Sequence, residues 1–323
     1  MLRYLARRVL FLILVMVVVS VITFLIFVKL PAADPARRAV GHATTDAQVR
    51  QARHIFGLDR PIWVQYWRFA QGLVPWPGLF LNEDVYYDWN NYVPVSEEIT
   101  QALPVTLMLA SGPAVVWLLM GIPIGIVSAL RRGKLTDKLA MIVALLGISA
   151  PDFWLAYLAL YIFWFKLGIA PSSGIPIGEG VWQAALEGRF LMPWIVLAST
   201  FAGWYARMIR GSLLETLGED YIRTARSKGL SEKRVVVKHA MRAALTPAVT
   251  MFGLDLADLL GGAFIVETAF NLPGIGRLAV QGVFGNNFPV VMAVTIFGAF
   301  LIAVANLVVD IGYAALDPRV RYV

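Results

Sequence analysis

The chain contains no cysteine and few charged residues, and both scarcities limit what it can be. Without cysteine, disulfide bonds, thiolate metal sites and a cysteine nucleophile are excluded. Charged residues make up 15% of the 323 residues, whereas soluble domains average about 25%. Hydrophobic residues make up 59%, and several apolar runs reach the roughly 20 residues that a transmembrane helix needs. The sequence therefore predicts an all-α, polytopic membrane helix bundle.

Signatures of nucleotide binding and catalysis are also missing. The only Gly-Lys pair, Gly133-Lys134, is followed by leucine and lacks the earlier glycine that a phosphate-binding loop requires. The three histidines share no metal-ligand spacing. The net charge of +7 is explained by the positive-inside rule and by contact with membrane lipid, and no base-reading motif suggests nucleic acid. We expect no catalytic residue, metal site or cofactor in this chain.

Six transmembrane helices are predicted from the apolar runs. The first run, Val9–Val28, is longer than the apolar core of a signal peptide, which indicates a retained helix. Pro123 and Pro151 lie inside the second and third spans and are expected to kink them, whereas Pro104 opens the second span at little cost. The predicted spans are about Val9–Leu30, Pro104–Leu130, Leu139–Leu167, Leu191–Ile209, Pro247–Ala269 and Val290–Tyr313.

Lysine and arginine are concentrated at the two ends and in alternate loops, which predicts that both termini are cytoplasmic (N-in/C-in). We divide the chain into a first transmembrane helix (1–30), an extracytoplasmic segment (31–103) and a core with five transmembrane helices (104–323). The extracytoplasmic segment is rich in aromatic residues, which are typical either of a belt at the lipid interface or of a docking surface for another protein. They are Trp63, Tyr66, Trp67, Trp76, Tyr86, Tyr87, Trp89 and Tyr92.

A basic, amphipathic segment, Asp220–Pro247, separates the fourth and fifth spans, and we name it the elbow. It lies in a cytoplasmic loop at about residues 211–246. Ahead of it, Ser212–Glu215 has the pattern of a capping box and predicts a helix start. Within the elbow, Glu219–Lys228 predicts a short helix, Gly229 fits the position after a helix end, and Ser231 can cap a further helix.

The apolar face of the first elbow helix has two possible roles. Tyr221, Ile222 and Ala225 lie together on that face. They could anchor a connector to the lipid surface. They could instead form an apolar knob that a partner buries in a groove, so that the elbow transmits the partner's movement.

The elbow resembles the "EAA" loop of permease subunits of bacterial ATP-binding-cassette (ABC) importers, in the dipeptide/oligopeptide class. The matching runs are Tyr221–Leu230 (YIRTARSKGL) and His239–Arg242 (HAMR). Arg223 and Thr224 replace residues of the more general importer pattern, and this departure is typical of the peptide class. Further stretches similar to this class are Met1–Arg8, Gly57–Pro61, Gln65–Trp67, Ser149–Trp154, Leu167–Gly174, Glu267–Phe270, Pro273–Arg277 and Ala315–Tyr322.

Two stretches on the outer side depart from that class. Residues from Trp76 onward lack its G-D-[LF]-G-x-S pattern, and Asn286–Pro289 stands where the class has R-D-[YF]-P. Because both lie on the outer side, they bear on docking of the binding protein or on substrate gating, and they do not alter the class.

The resemblance implies a type I importer-like permease subunit in the bacterial cytoplasmic membrane. It implies a second homologous permease as a heterodimer partner, two cytoplasmic ATPase subunits that bind ATP and Mg²⁺, and an extracytoplasmic binding protein that delivers a peptide substrate. The alternatives are the same machinery for nickel, glutathione or a sugar, or a stand-alone secondary transporter or channel. The residues implied to couple to the ATPases are Tyr221, Ile222, Ala225, Arg226, Lys228, Gly229 and Leu230.

Acidic residues in the fifth span are the most individual feature of the chain. Asp255 and Asp258 are three residues apart and share one helix face, and Glu267 follows two to three turns later. Ionisable groups inside spans usually face a cavity or a partner. They could line the translocation path and attract the cationic amino terminus of a peptide. Alternatively, Asp255 and Asp258 form a structural pair that is satisfied by polar groups of the second permease.

Overall fold

The computed structural model describes residues 2–29, 36–37, 45–55, 57–71, 88–176 and 178–316. The aromatic residues Trp76, Tyr86 and Tyr87 of the outer segment lie outside this part, as do the side chain of Asp258 and the end of the tail motif, residues 317–322.

The described chain is helical almost throughout and contains no β-strand within those residues, in agreement with the predicted all-α class. Its helices are α1 (Leu2–Phe24), α2 (Asp46–Ile55), α3 (Ile62–Gln71), α4 (Val95–Leu130), α5 (Leu135–Ser149), α6 (Asp152–Ala159), α7 (Val181–Leu186), α8 (Leu191–Leu217), α9 (Asp220–Ser227), α10 (Glu232–Arg234), α11 (Met241–Ala244), α12 (Thr246–Ala269), α13 (Ile275–Phe284) and α14 (Phe288–Leu316). Three stretches are π-helical: Leu25–Lys29, Leu160–Lys166 and Val235–Ala240.

Helices occupy all six predicted span positions. In the part of the chain that is described, three stretches are long and apolar enough to cross a membrane: Ala6–Val28, Val95–Leu130 and Phe288–Val309. A fourth is the pair Leu135–Ser149 and Asp152–Lys166, if it is taken as one bent span. The total of six and the N-in/C-in orientation stay predictions.

The second span starts earlier than predicted. Helix α4 begins at Val95, so Pro104 is an interior residue and its predicted place at the helix start is wrong. Glu97 and Glu98 supply negative charge to the first turn, where the helix dipole favours it. Burial of Val95 and its neighbours on the same face compensates for the hydrogen bond that the proline removes.

The break predicted at Pro151 is confirmed and is sharp, because α5 and the helix after it meet at 110°. Thr200 of α8 lies against the break. Its hydroxyl is within hydrogen-bond distance of the Gly147 carbonyl (3.2 Å) and of the Asp152 carboxylate (3.1 Å). A side chain from a neighbouring helix thus satisfies a backbone carbonyl near the break, as the absence of water in a membrane requires.

The chain packs as two compact units, one of Met1–Thr106 with Leu272–Val323 and the other of Leu107–Asn271. In the second unit, glycines allow close helix contacts: a Cβ at Gly203 of α8 would lie 2.4 Å from the Ala144 carbonyl oxygen of α5. The units describe packing. The predicted division at residues 30 and 103 describes position relative to the membrane, and it stays a prediction.

In the first unit, the motif Pro273–Arg277 starts helix α13. Gly274 is its N-cap residue, and the backbone N–H of Ile275 donates to the Thr106 hydroxyl at 2.9 Å. Both Thr106 and Ile275 are buried. A side chain from α4 therefore satisfies one of the free N–H groups at the start of α13.

Asn287 and Asp88 form a buried polar pair in the first unit. The Asn287 amide donates to the Asp88 carboxylate, which also accepts from the Asn90 backbone N–H at 2.6 Å. The family-like pattern R-D-[YF]-P would place an aspartate at position 287, where it would face Asp88. Asparagine at position 287 avoids this repulsion and donates a hydrogen bond to Asp88 instead.

Exchanging the members of this pair tests the interpretation. Asn287→Asp alone should destabilise the protein by about 3 kcal/mol, because it leaves two carboxylates facing each other in a buried site. Adding Asp88→Asn should restore most of the loss by reversing donor and acceptor. Thermal unfolding of the purified protein in detergent measures both. A double variant no more stable than Asn287→Asp alone would contradict the pairing.

Candidate functional site

The elbow folds as a helix–turn–helix directly after α8. Helix α9 covers Asp220–Ser227, and Gly229 follows it with φ of +76°, so the predicted short helix and its glycine terminator are confirmed. Ser231 occupies the predicted N-cap position, although its side chain makes no capping hydrogen bond. The second helical segment runs through α10, a π-helical stretch and α11.

The helix start predicted at Ser212–Glu215 is wrong, because α8 continues without interruption to Leu217. Leu213 is fully buried and extends the apolar face of α8 beyond the predicted end of the fourth span. The Ser212 carbonyl accepts a hydrogen bond from the Thr216 hydroxyl at 2.7 Å, as a residue inside a helix can. Tertiary packing here outweighs a local capping pattern.

The elbow has its own apolar core, which joins it to the ends of α8 and α4. This elbow core consists of Ala129, Leu213, Ile222, Ala225, Val235, Ala240 and Ala244. All of these residues belong to the second packing unit. The elbow is therefore built onto two long helices of its own chain.

Burial in the elbow core corrects the predicted apolar knob. Ile222 has 0% of its surface exposed, and Ala225 is also buried, both by residues of this chain. These two side chains are therefore not available for a partner to bury. Tyr221 is 46% exposed and is the member of the predicted set that can reach a partner.

The other predicted coupling residues surround the turn between the elbow helices. Lys228 and Gly229 are exposed and Leu230 is half-buried against the elbow core. Arg226 makes two hydrogen bonds to Glu232 across the turn, at 2.7 and 3.1 Å. These bonds hold the pKa of the Glu232 carboxyl below its ordinary value and raise the pKa of Arg226. The bridge therefore stabilises the turn at neutral pH and is lost as pH falls through the lowered pKa of Glu232.

An ion pair that was not predicted from the sequence fixes α8 to the first turn of α5. Asp137 is almost fully buried, and Arg210 of α8 donates two hydrogen bonds to it, at 2.8 and 2.9 Å. Asp137 also accepts from the Ser128 hydroxyl and from the Gly133 backbone N–H. The available signal was a lone aspartate within a run of basic residues at 131–138.

Of the acidic residues in the fifth span, Asp255 has a partner within this chain. Its carboxylate accepts from the Tyr205 hydroxyl of α8 at 2.7 Å, and it is only half-buried. The ring of Tyr205 packs against Trp117, which also stacks on Phe201 at a centroid distance of 4.6 Å. Asp255 thus lies beside an aromatic cluster, with part of its surface still open.

Glu267 is more deeply buried than Asp255. It is fully buried near the end of α12 and makes polar interactions there. A fully buried carboxylate of this kind interacts with neighbouring residues of its own chain. Of the three predicted path residues, Asp255 is the one with described open surface, and the side chain of Asp258 lies outside the described residues.

Two family patterns cover nearly the whole chain. The family described as "Binding-protein-dependent transport system inner membrane component" matches residues 121–322. The family described as "Binding-prot-dependent transport system membrane comp, N-term" matches residues 1–110.

Curated relatives match over their full length. The glutathione transport system permease protein GsiC of Salmonella paratyphi A is 39% identical over 322 residues, and that of Escherichia coli K12 is 38% identical over 323 residues. Each match covers 100% of this chain and 100% of the relative. A solved inward-facing structure of the MetNI methionine ABC transporter is similar with a TM-score of 0.54 and 19% identity, covering 68% of this chain and 97% of that one. At this identity, it shows the fold alone.

Neighbouring residues of α9 should respond differently to truncation. Ile222→Ala should destabilise the protein by about 2–4 kcal/mol, because it removes buried methyl groups from the elbow core. Tyr221→Ala should leave stability unchanged, because that side chain is exposed. Thermal unfolding in detergent checks both, and equal effects of the two substitutions would contradict the described burial.

Proposed function

The chain belongs to the family of inner membrane components of binding-protein-dependent transport systems, and from this membership we propose that it imports short peptides, glutathione among them. It is the permease subunit of an ABC importer and a multi-pass protein of the bacterial inner membrane. It is a non-catalytic component, as its relatives are. The observation that carries the cargo proposal is the end-to-end similarity to glutathione permeases, because glutathione is itself a tripeptide.

Membership of an ABC importer implies a second permease, ATPase subunits and a binding protein. In the proposed assembly, two cytoplasmic ATPases bind ATP and Mg²⁺. The binding protein docks on the extracytoplasmic segment, residues 31–103, and delivers the peptide to a path between the two permeases. ATP-driven closure of the ATPases then opens the permease pair outward, and hydrolysis resets it.

The elbow is the proposed contact with the ATPases, and its residues divide into an exposed set and a buried set. Tyr221, Lys228 and Gly229 are exposed and form the proposed contact surface, with Arg226 bracing the turn. Ile222 and Ala225 act on the inside, where they transmit movement of α9 to Leu213 and Ala129. Close packing supports this role, because a packed cluster moves as a body and does not deform gradually.

Asp255, Asp258 and Glu267 are the proposed acidic residues of the translocation path. The half-open surface of Asp255 supports this for one of them. A carboxylate can accept several hydrogen bonds, so the bond from the Tyr205 hydroxyl is compatible with contact to a cationic substrate group. The ammonium group of a peptide is the substrate group proposed to be attracted there.

Substitutions at Gly229 test the coupling role of the elbow. Proline fixes φ near −65° and cannot adopt the observed +76°, so Gly229→Pro should reduce ATP-driven uptake to background in liposomes that contain the complete transporter. Gly229→Asn is the matched control, because asparagine tolerates positive φ and a Cβ there meets no atom within 4 Å. Undiminished uptake by the proline variant would favour a carrier that works without ATPases.

Uptake of peptides with free and blocked amino termini tests the path residues. Asp255→Asn and Asp258→Asn should each weaken uptake of a free dipeptide and of glutathione more than uptake of their N-acetylated forms. Tyr205→Phe serves as the control, because it removes the hydrogen bond and leaves the carboxylate. Wild-type transport with unchanged preference in both aspartate variants would end the proposal for these residues.

A further inference from the structure

Helix α3 of the outer segment has three distinct faces. Gln65 and Phe69 are buried on one face, and Gln65 donates to the backbone carbonyls of Leu58 and Arg60. Trp63 and Trp67, four residues apart, lie on a second face and are 71% and 63% exposed. Arg68 lies on a third face, where its guanidinium reaches the turn at Gly57.

The buried face is fixed against α1. The Tyr66 hydroxyl is 2.9 Å from the Ser20 hydroxyl, and the Tyr66 ring meets Phe24 edge-on at a centroid distance of 5.5 Å. Phe69 also packs on Phe24, at a centroid distance of 5.6 Å. Because these partners belong to the first packing unit, the position of α3 along α1 is defined.

That position sets the depth of α3 relative to the membrane. The apolar membrane-crossing stretch comprises most of α1 and the π-helical residues after it, and it ends at Val28. At about 1.5 Å per residue, Phe24 lies about 6 Å and Ser20 about 12 Å inward of Val28. A helix that packs on this part of the stretch lies alongside its outer end, close to the border at which tryptophan is enriched in membrane proteins.

The exposed surface of α1 beside α3 is apolar. Ile22 of α1 and Leu25 and Ile26 of the π-helical stretch after it are exposed large hydrophobic side chains at the same level. In a protein of the inner membrane, such a surface is covered by lipid chains or by another membrane-spanning helix. The exposed tryptophans of α3 are therefore at the same level as an exposed apolar surface of the chain.

We propose that α3 is an interfacial helix of the outer leaflet and that Trp63 and Trp67 bind the border between headgroups and acyl chains. The indole ring suits this place, because its body is apolar and its N–H can donate to headgroup or water oxygens. Such a helix would fix the middle of the extracytoplasmic segment at the membrane surface. The proposal goes beyond peptide transport, and it does not depend on the identity of the cargo.

The absence of cysteine makes a direct test possible. Single cysteines at Trp63 or Trp67 would carry a nitroxide spin label in the complete transporter, embedded in phospholipid nanodiscs. Accessibility to oxygen, which concentrates in lipid, is compared with accessibility to a water-soluble nickel chelate. Ile22→Cys is the lipid-facing control on α1, and Arg50→Cys on α2 is an exposed control on the outer segment.

The expected result is that labels at Trp63 and Trp67 resemble the Ile22 label, with high oxygen and low nickel accessibility. Labels that resemble the Arg50 label would overturn the proposal, because α3 would then stand in water. Low accessibility to both reagents would also overturn it, since the face would be covered by protein. Protection from nickel only after the binding protein is added would assign the face to that protein. The accessibility of a label at position 67 is also measured in the Trp63→Phe variant. Unchanged accessibility there shows that loss of one tryptophan does not by itself displace the helix.

Discussion

Packing of Ile222 and Ala225 against Leu213 and Ala129 is the interaction on which the proposed mechanism depends. The elbow is thereby packed against the ends of α8 and α4, which are two of the longest helices of the chain. A loosely attached loop would absorb a partner's movement, whereas a packed one transmits it. In the proposed mechanism, the exposed side of the elbow therefore needs only a few contacts with the ATPases, and Tyr221 and the turn at Lys228–Gly229 are the residues proposed to make them.

Polar pairs, buried or half-buried, hold helices in place within each packing unit. Asp137 with Arg210, Asp152 with Thr200, Asp255 with Tyr205 and Asp88 with Asn287 each join groups that are distant in sequence. An unpaired carboxylate would be costly in an apolar environment, so each pair fixes one arrangement of its helices. Three of the four pairs have a member on α8 and lie within the unit that carries the elbow, where they restrict how α8 can move.

Features governed by local chemistry were predictable from the sequence. Helix α9, the positive φ at Gly229 and the break at Pro151 follow from helix periodicity, glycine geometry and the missing proline N–H. The start predicted at Ser212 failed because burial of Leu213 keeps α8 helical through a local capping pattern. The early start of α4 was missed for a similar reason, since packing around Val95 carries the helix through Pro104.

The position of the elbow in the sequence was predictable, but the residues that it exposes were not. The motif Tyr221–Leu230 identified the elbow, yet a single helix cannot show which residues its own chain buries, so Ile222 and Ala225 were assigned to a partner. Likewise, nothing in the sequence pairs Asp255 with Tyr205 or Asp137 with Arg210, because such contacts depend on how α8 packs against its neighbours.

The most direct test of the account is affinity purification of the tagged full-length chain from its own host in mild detergent, followed by mass spectrometry of the proteins that co-purify. The account predicts a second permease and ATPase subunits, with the ATPases lost when residues 220–230 are deleted and the second permease retained. A chain that purifies alone and still moves solute into liposomes without ATP would contradict it.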